Sequence, residues 1–151
     1  PIADKAMVVI ALMVIVGYSS YSPWIVLPAT VIVFREVFVS GLREFLGAAA
    51  GTLKVTRLAK WKTTLQMLAI AILFAQGVFE HYLGLERSGM GPERVAAVLA
   101  GEAEDVHGLR WMHRGMVATG YAGLTLLWIA ALLTLVTGWE YFRKALPHLK
   151  D

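Results

Sequence analysis

The chain reads as an all-α, polytopic integral membrane bundle with about four transmembrane helices. Three observations predict it. Apolar residues fill 58% of the 151 positions and charged residues only 17%, against about 45–50% and about 25% in soluble domains. The apolar residues gather into four runs, 4–16, 24–42, 63–79 and 116–139, each at or near the roughly 20 residues that cross the hydrocarbon core. Alternating apolar and polar stretches of about ten residues do not recur, so the pattern is not that of a membrane β-barrel. The length suits one membrane domain, 1–151, and no more.

The first run is short and opens on Pro1-Ile2-Ala3-Asp4-Lys5. A carboxylate and a lysine at the edge of a membrane helix are costly to place there and mark a site. Residue 1 is a proline, so we expect the sequence to begin inside a longer motif, with part of a site upstream. The second run carries Arg35 and Glu36 between Val31-Ile32-Val33-Phe34 and Val37-Phe38-Val39. The third opens on Lys60-Trp61-Lys62-Thr63-Thr64-Leu65-Gln66. Thr63 or Thr64 is the expected N-cap of its helix. The fourth has the cleanest apolar run.

Loop charges set the orientation. Segment 18–23 is uncharged, and Pro23 with the serines marks a turn. Segment 43–62 holds Arg43, Lys54, Arg57, Lys60 and Lys62 against Glu44 alone, which by the positive-inside rule makes it cytoplasmic. Segment 80–115 has six acids and four arginines and is expected on the periplasmic side as an insertion. Within it Gly91-Pro92 and Gly101 bracket a short helix over 93–100. The tail carries Arg143, Lys144 and Lys150 and returns to the cytoplasm. One orientation satisfies every loop. It puts Asp4, the 43–62 loop and the tail on one membrane face.

The chemistry follows from these charges. Glu36 and Arg43 lie two helical turns apart on nearly one face, with Arg35 to one side. One reading is an intramembrane ion pair that fixes helix packing. The other is an anion site at the cytoplasmic boundary, because the guanidinium fork matches phosphate or carboxylate oxygens. Lys60 and Lys62 are either snorkelling lysines or part of that site, and Lys62 shares a face with Gln66 at i, i+4. Asp4 suits a divalent-ion ligand or a base that takes a proton from a hydroxyl. The sequence has no cysteine, which excludes disulfides, thiolate zinc and iron–sulfur sites. His81, His107 and His113 have neither i, i+4 spacing nor a paired acid, so a metal site is not expected there. The pI near 9.4 comes without a basic polar face, so nucleic acid is not an expected partner.

These residues resemble the CDP-alcohol phosphotransferase family. Pro1-Ile2-Ala3-Asp4-Lys5 is similar to the end of its signature, D-x2-D-G-x2-A-R-x8-G-x3-D-x3-D, where D-P-x-A-D-K is common. Phe34-Arg35-Glu36-Val37 with Ser40-Gly41-Leu42-Arg43-Glu44 resembles the R-E-x-x-x-S-x-L-R-E block of bacterial phosphatidylglycerophosphate synthases. The 60–67 stretch resembles their G-K-x-K-T-x-x-Q segment, with Ala59 where glycine is usual. Segments 132–135 and 137–141 resemble their last helix. The blocks occur in family order.

The resemblance implies a six-helix enzyme of the bacterial inner membrane, its active site on the cytoplasmic side. This chain would hold the last four helices and lack the first two. It implies attack by sn-glycerol 3-phosphate on CDP-diacylglycerol, giving phosphatidylglycerophosphate and CMP. It implies a divalent ion, Mg2+ or alternatively Mn2+, and often a homodimer. Asp4 would be base or metal ligand; Arg35, Arg43, Lys60 and Lys62 would hold the acceptor phosphate, with Glu36 orienting the arginines. With one of four signature aspartates present, the 151 residues alone are not expected to catalyse. The alternatives are a sibling transferase with another phosphorylated alcohol, a non-catalytic membrane subunit or assembly factor on this fold, and, last, a small transporter.

Overall fold

The computed structural model describes residues 2–52 and 57–149, apart from the side chains of Ile2, Asp4, Ala48, Ala49 and Thr52. Its elements are α1 (Ile2–Tyr18), α2 (Pro23–Leu46), a 3-10 segment (Gly47–Thr52), α3 (Arg57–Ser88), α4 (Pro92–Ala100), α5 (Leu109–Ala145) and a final 3-10 turn (Leu146–Leu149). No strand occurs among the described residues. Lys54 and Lys150, which entered the charge count, lie outside them. By length and composition α2, α3 and the helical stretch Leu109–Leu149 can cross a membrane, while α1 offers a shorter apolar helix, Lys5–Tyr18. The chain is an all-α polytopic membrane protein.

Helix α5 is the hub. It packs along α3, its most extensive contact, and against α2, while α1 lies on α2 and α3. Its buried side includes Gly123, Leu127, Ala130, Thr134, Thr137 and Tyr141. The spacing alternates four and three, which keeps one stripe facing the partner helices. Small residues on that stripe let backbones approach, the usual device where lipid supplies no hydrophobic drive. A Cβ on Gly123 would stand 2.7 Å from Leu73 Cγ, and one on Gly115 2.9 Å from Phe79 Cζ. The main core joins Val8, Leu12 and Ile15 of α1 to Ala29 and Ile32 of α2, Ala69, Ile70 and Leu73 of α3, and Leu127, Ala130 and Ala131 of α5.

Two local features fix the α1–α2 hairpin. Ser20 and Tyr21 adopt positive φ, 51° and 58°, and Pro23 starts α2 where its missing N–H costs nothing. Pro28 lies inside α2 and donates no hydrogen bond to the carbonyl four residues back. That carbonyl, Trp24 O, instead accepts from Trp128 Nε1 at 3.0 Å. The replacement donor comes from α5, so the proline ties α2 to the hub.

Helices α3 and α5 are longer than their apolar runs. At 1.5 Å per residue they measure about 48 and about 55 Å, well beyond a core of about 30 Å. The long connection therefore shortens to 89–108. Its helix α4 ends at Gly101, φ 86°, where Glu102 N–H donates to Ala97 O at 2.9 Å. This is a left-handed glycine stop. Val98 of α4 packs with Leu83 of α3 and Leu109 of α5 into a second small core. Asp105 caps α5, accepting from Leu109 N–H at 2.7 Å and Arg110 N–H at 3.0 Å. Partial burial raises the Asp105 pKa, but those N–H groups and the Arg110 charge outweigh it and hold the carboxyl below its ordinary value.

The expected cap at Thr63 or Thr64 is corrected. Helix α3 begins at Arg57, and both hydroxyls lie in its second turn, donating back to Ala59 O and Lys60 O at 3.2 and 3.3 Å. Such i−4 bonding satisfies a hydroxyl inside a helix and leaves it no capping role.

Candidate functional site: a cationic cleft between three helices

A cleft of about 310 Å³ opens between α1, α2 and α3. Its polar walls come from Lys5 of α1, Arg35, Glu36 and Arg43 of α2, and Lys62, Thr63 and Gln66 of α3, with Val8, Val39 and Ala59 between them. The helical period explains the convergence. Glu36 and Arg43 stand seven residues apart on one face of α2, and Lys62 and Gln66 four apart on one face of α3.

The charges are arranged around Glu36. Its Oε1 accepts from Lys62 Nζ and from Arg35 Nη1 at 3.2 Å. Glu36 is 9% exposed and Lys62 4%, so the pair is taken out of both water and lipid. Ser40, one turn further, donates to Glu36 O and accepts from Lys5 Nζ. The Arg43 guanidinium lies 5.1 Å from the centre of the Tyr141 ring, a cation–π distance. Gly138 lets Arg35 pass close to α5, since a Cβ there would come 3.0 Å from Arg35 Cγ. Four cationic side chains thus line a cleft with one carboxylate, which two of them already engage. The cleft keeps an excess of positive charge.

The buried polar atoms without a partner include Arg35 Nε, Gln66 Oε1, Thr134 Oγ1 and Tyr141 OH. Of these, Arg35 and Gln66 line the cleft, and Arg87 Nε and His113 Nδ1 are open elsewhere. Buried polar groups are nearly always hydrogen-bonded, so the two open ones in the cleft suit a ligand. A larger cavity of about 450 Å³ lies by the α1–α2 turn, lined by Ile15, Tyr18, Leu73 and Phe74 among others. Its walls are mainly apolar and bring no cationic cluster together.

The structure gathers Arg35, Glu36, Arg43 and Lys62 into this cleft. It does not bring Lys60 there. Lys60 is exposed and stands about 200° around the helix from Lys62. The side chain of Asp4 lies outside the described residues, although its neighbour Lys5 reaches the cleft. Lys5 and Ser40 are the residues that sequence reasoning missed as members of the site. Ser40 carried a signal, standing at i, i+4 from Glu36.

The family is generally dependent on a divalent metal. Among the described residues no group of three or more His, Cys, Asp or Glu gathers to hold one. The one acid lining the cleft, Glu36, is committed to Lys62 and Arg35. The described donor set fits an anion rather than a cation. The histidine expectation is corrected in one respect: His107 does meet an acid, Glu86, at 3.2 Å.

Comparison with known proteins gives the family. The family profile for CDP-alcohol phosphatidyltransferase matches residues 1–141. A protein of Cereibacter sphaeroides named CDP-diacylglycerol–glycerol-3-phosphate 3-phosphatidyltransferase is 62% identical, over 100% of this chain and 68% of its own. Proteins of the same name from Rickettsia prowazekii and Haemophilus influenzae are 33% and 31% identical, covering 95% and 100% of this chain. The chain spans 59% and 62% of those two. No solved structure matches. The chain belongs to the CDP-alcohol phosphatidyltransferase family.

Proposed function

We propose that the protein transfers the phosphatidyl group of CDP-diacylglycerol to sn-glycerol 3-phosphate, giving phosphatidylglycerophosphate and CMP. The observation that carries this reading is the cleft itself, in which Lys5, Arg35, Arg43 and Lys62 surround one committed carboxylate. The names of the relatives supply the two substrates.

In this reading the acceptor phosphate lies against Arg43 and Lys5, with Lys62 and Arg35 behind. Glu36 holds the buried Lys62 and the partly buried Arg35 in place. It fixes their geometry before the ligand arrives, which is how a positioning group serves a transfer reaction. The 1-hydroxyl oxygen of the acceptor forms a bond to the β-phosphorus of CDP-diacylglycerol. The bond from that phosphorus to the bridging oxygen breaks, and CMP leaves with its electron pair. The hydroxyl proton passes to a base, and we assign that role to Asp4 on the family resemblance. On the same ground the alternative role of Asp4 is ligand to a divalent ion, for which magnesium is our assignment.

The loop charges support a cytoplasmic position for the cleft and the opposite side for segment 80–115, read as an insertion, and the resemblance adds a bacterial inner membrane. The resemblance adds a homodimer. The test is CMP release by the full-length protein in detergent–lipid micelles with magnesium. The expected result is release that requires both CDP-diacylglycerol and glycerol 3-phosphate. Release with serine or inositol phosphate, but not glycerol 3-phosphate, would move the protein to a sibling activity.

A further inference from the structure

We infer that Gln66 reads a hydroxyl of the acceptor, so that the cleft selects a phosphorylated alcohol with a second hydroxyl beside the attacking one. The inference rests on the acceptor reading above and deepens it. Gln66 lines the cleft, is 2% exposed, and stands one helical turn beyond Lys62, about 6 Å along α3. Its Oε1 is buried and has no hydrogen-bond partner among the described residues.

The hydrogen bonds of its neighbours go elsewhere, and none reaches that oxygen among the described residues. Lys62 Nζ and Arg35 Nη1 are directed to Glu36, and Lys5 Nζ to Ser40. Thr63 gives its hydroxyl proton to Ala59 O. Val8 and Val39 carry no donor. A phosphate cannot satisfy it, because a phosphate dianion only accepts hydrogen bonds while an amide oxygen needs a donor. The cleft therefore asks two things of one ligand: an anionic end for the cations and an O–H for Gln66. A buried acceptor left unmade costs about 1–3 kcal/mol. A site built to bond a hydroxyl rejects the analogue that lacks it for that reason. Glycerol 3-phosphate offers its 2-hydroxyl. 3-Hydroxypropyl phosphate keeps the phosphate and the attacking hydroxyl and lacks only the 2-hydroxyl.

The experiment compares kcat/KM for these two acceptors, read by CMP release, in the full-length protein and in Gln66→Met, which keeps side-chain length and removes the amide. The expected result is that the full-length protein prefers glycerol 3-phosphate by about tenfold or more. In Gln66→Met the preference falls toward one. Gln66→Leu, which also removes the amide, shows the same fall and decides the matter if Gln66→Met does not fold. A preference unchanged in Gln66→Met overturns the inference, as does an equal loss on both acceptors, which would give the amide to the phosphate. Equal use of both acceptors by the unsubstituted protein overturns it while leaving the reaction in place. No release with either acceptor overturns the reaction reading, and this inference falls with it.

Discussion

Glu36 is the residue on which the cleft is assembled. It is 9% exposed and neutralises two cations from different helices. Removing one partner of a buried pair leaves an uncompensated charge, at a cost of about 3–5 kcal/mol. We therefore expect Glu36→Gln to lower thermal stability in detergent by that order, and Lys62→Met added to it to recover part of the loss. An unchanged melting temperature in Glu36→Gln would show that the ion pair adds nothing to packing. Much of this arrangement was legible in the sequence. Glu36 and Arg43 stand two turns apart on one helix, so the helical period alone puts them on one face, with Arg35 beside it. Lys62 follows from its i+4 relation to Gln66. Lys5 and Ser40 were not legible as a pair, because their contact depends on how α1 leans on α2. Lys60 was assigned with Lys62 because charge counting does not distinguish residues two apart; only the phase of α3 does.

The small residues of α5 act at the scale of the element. Gly138 meets a cleft arginine, whereas Gly123 meets Leu73 at 2.7 Å. Their substitutions should separate accordingly. Gly123→Ala overpacks the α3–α5 contact and should cost about 1–3 kcal/mol of stability, read as a lower melting temperature. Gly138→Ala pushes on Arg35 and should weaken acceptor use more than it lowers stability, read as a raised KM for glycerol 3-phosphate. The reverse ranking would place Arg35 outside the site. At the other end Asp105 caps α5. Its folded pKa is depressed, so its contribution is present above the ordinary carboxylate value of 3.8 and is lost as pH falls through the lowered folded value. Asp105→Ala should speed amide exchange at Leu109 and Arg110 at neutral pH and abolish that acid dependence. Element positions were legible from hydropathy, but not their ends. Polar sequence continues α3 to Ser88 and starts α5 at Leu109, where tertiary packing around Leu83, Val98 and Leu109 supports helix that no lipid requires.

At the scale of the whole molecule, the orientation of the bundle decides which substrates can reach the cleft. The 151 residues hold no cysteine, so a single cysteine introduced among them is read against the unsubstituted protein. Glu93 in α4 and Lys60 in α3 are both exposed and lie at opposite ends of the bundle. A membrane-impermeant maleimide should label Glu93→Cys on intact cells and Lys60→Cys only after permeabilisation. The opposite pattern would invert the topology and put the cleft on the wrong side for cytoplasmic substrates. The bundle also explains why charged residues survive at the membrane edge: α1, α2 and α3 enclose them, and α5 supplies Gly138 and Tyr141 behind the arginines. The central claim is that this cleft holds the phosphate of the acceptor. The most direct measurement is the pair of KM values, for glycerol 3-phosphate and for CDP-diacylglycerol, in Arg43→Ala. Losing one charged hydrogen-bond donor is worth about 1.5–3 kcal/mol, so KM for glycerol 3-phosphate should rise roughly 10- to 100-fold while KM for CDP-diacylglycerol stays near its original value. An unchanged acceptor KM in a folded Arg43→Ala protein would contradict the account.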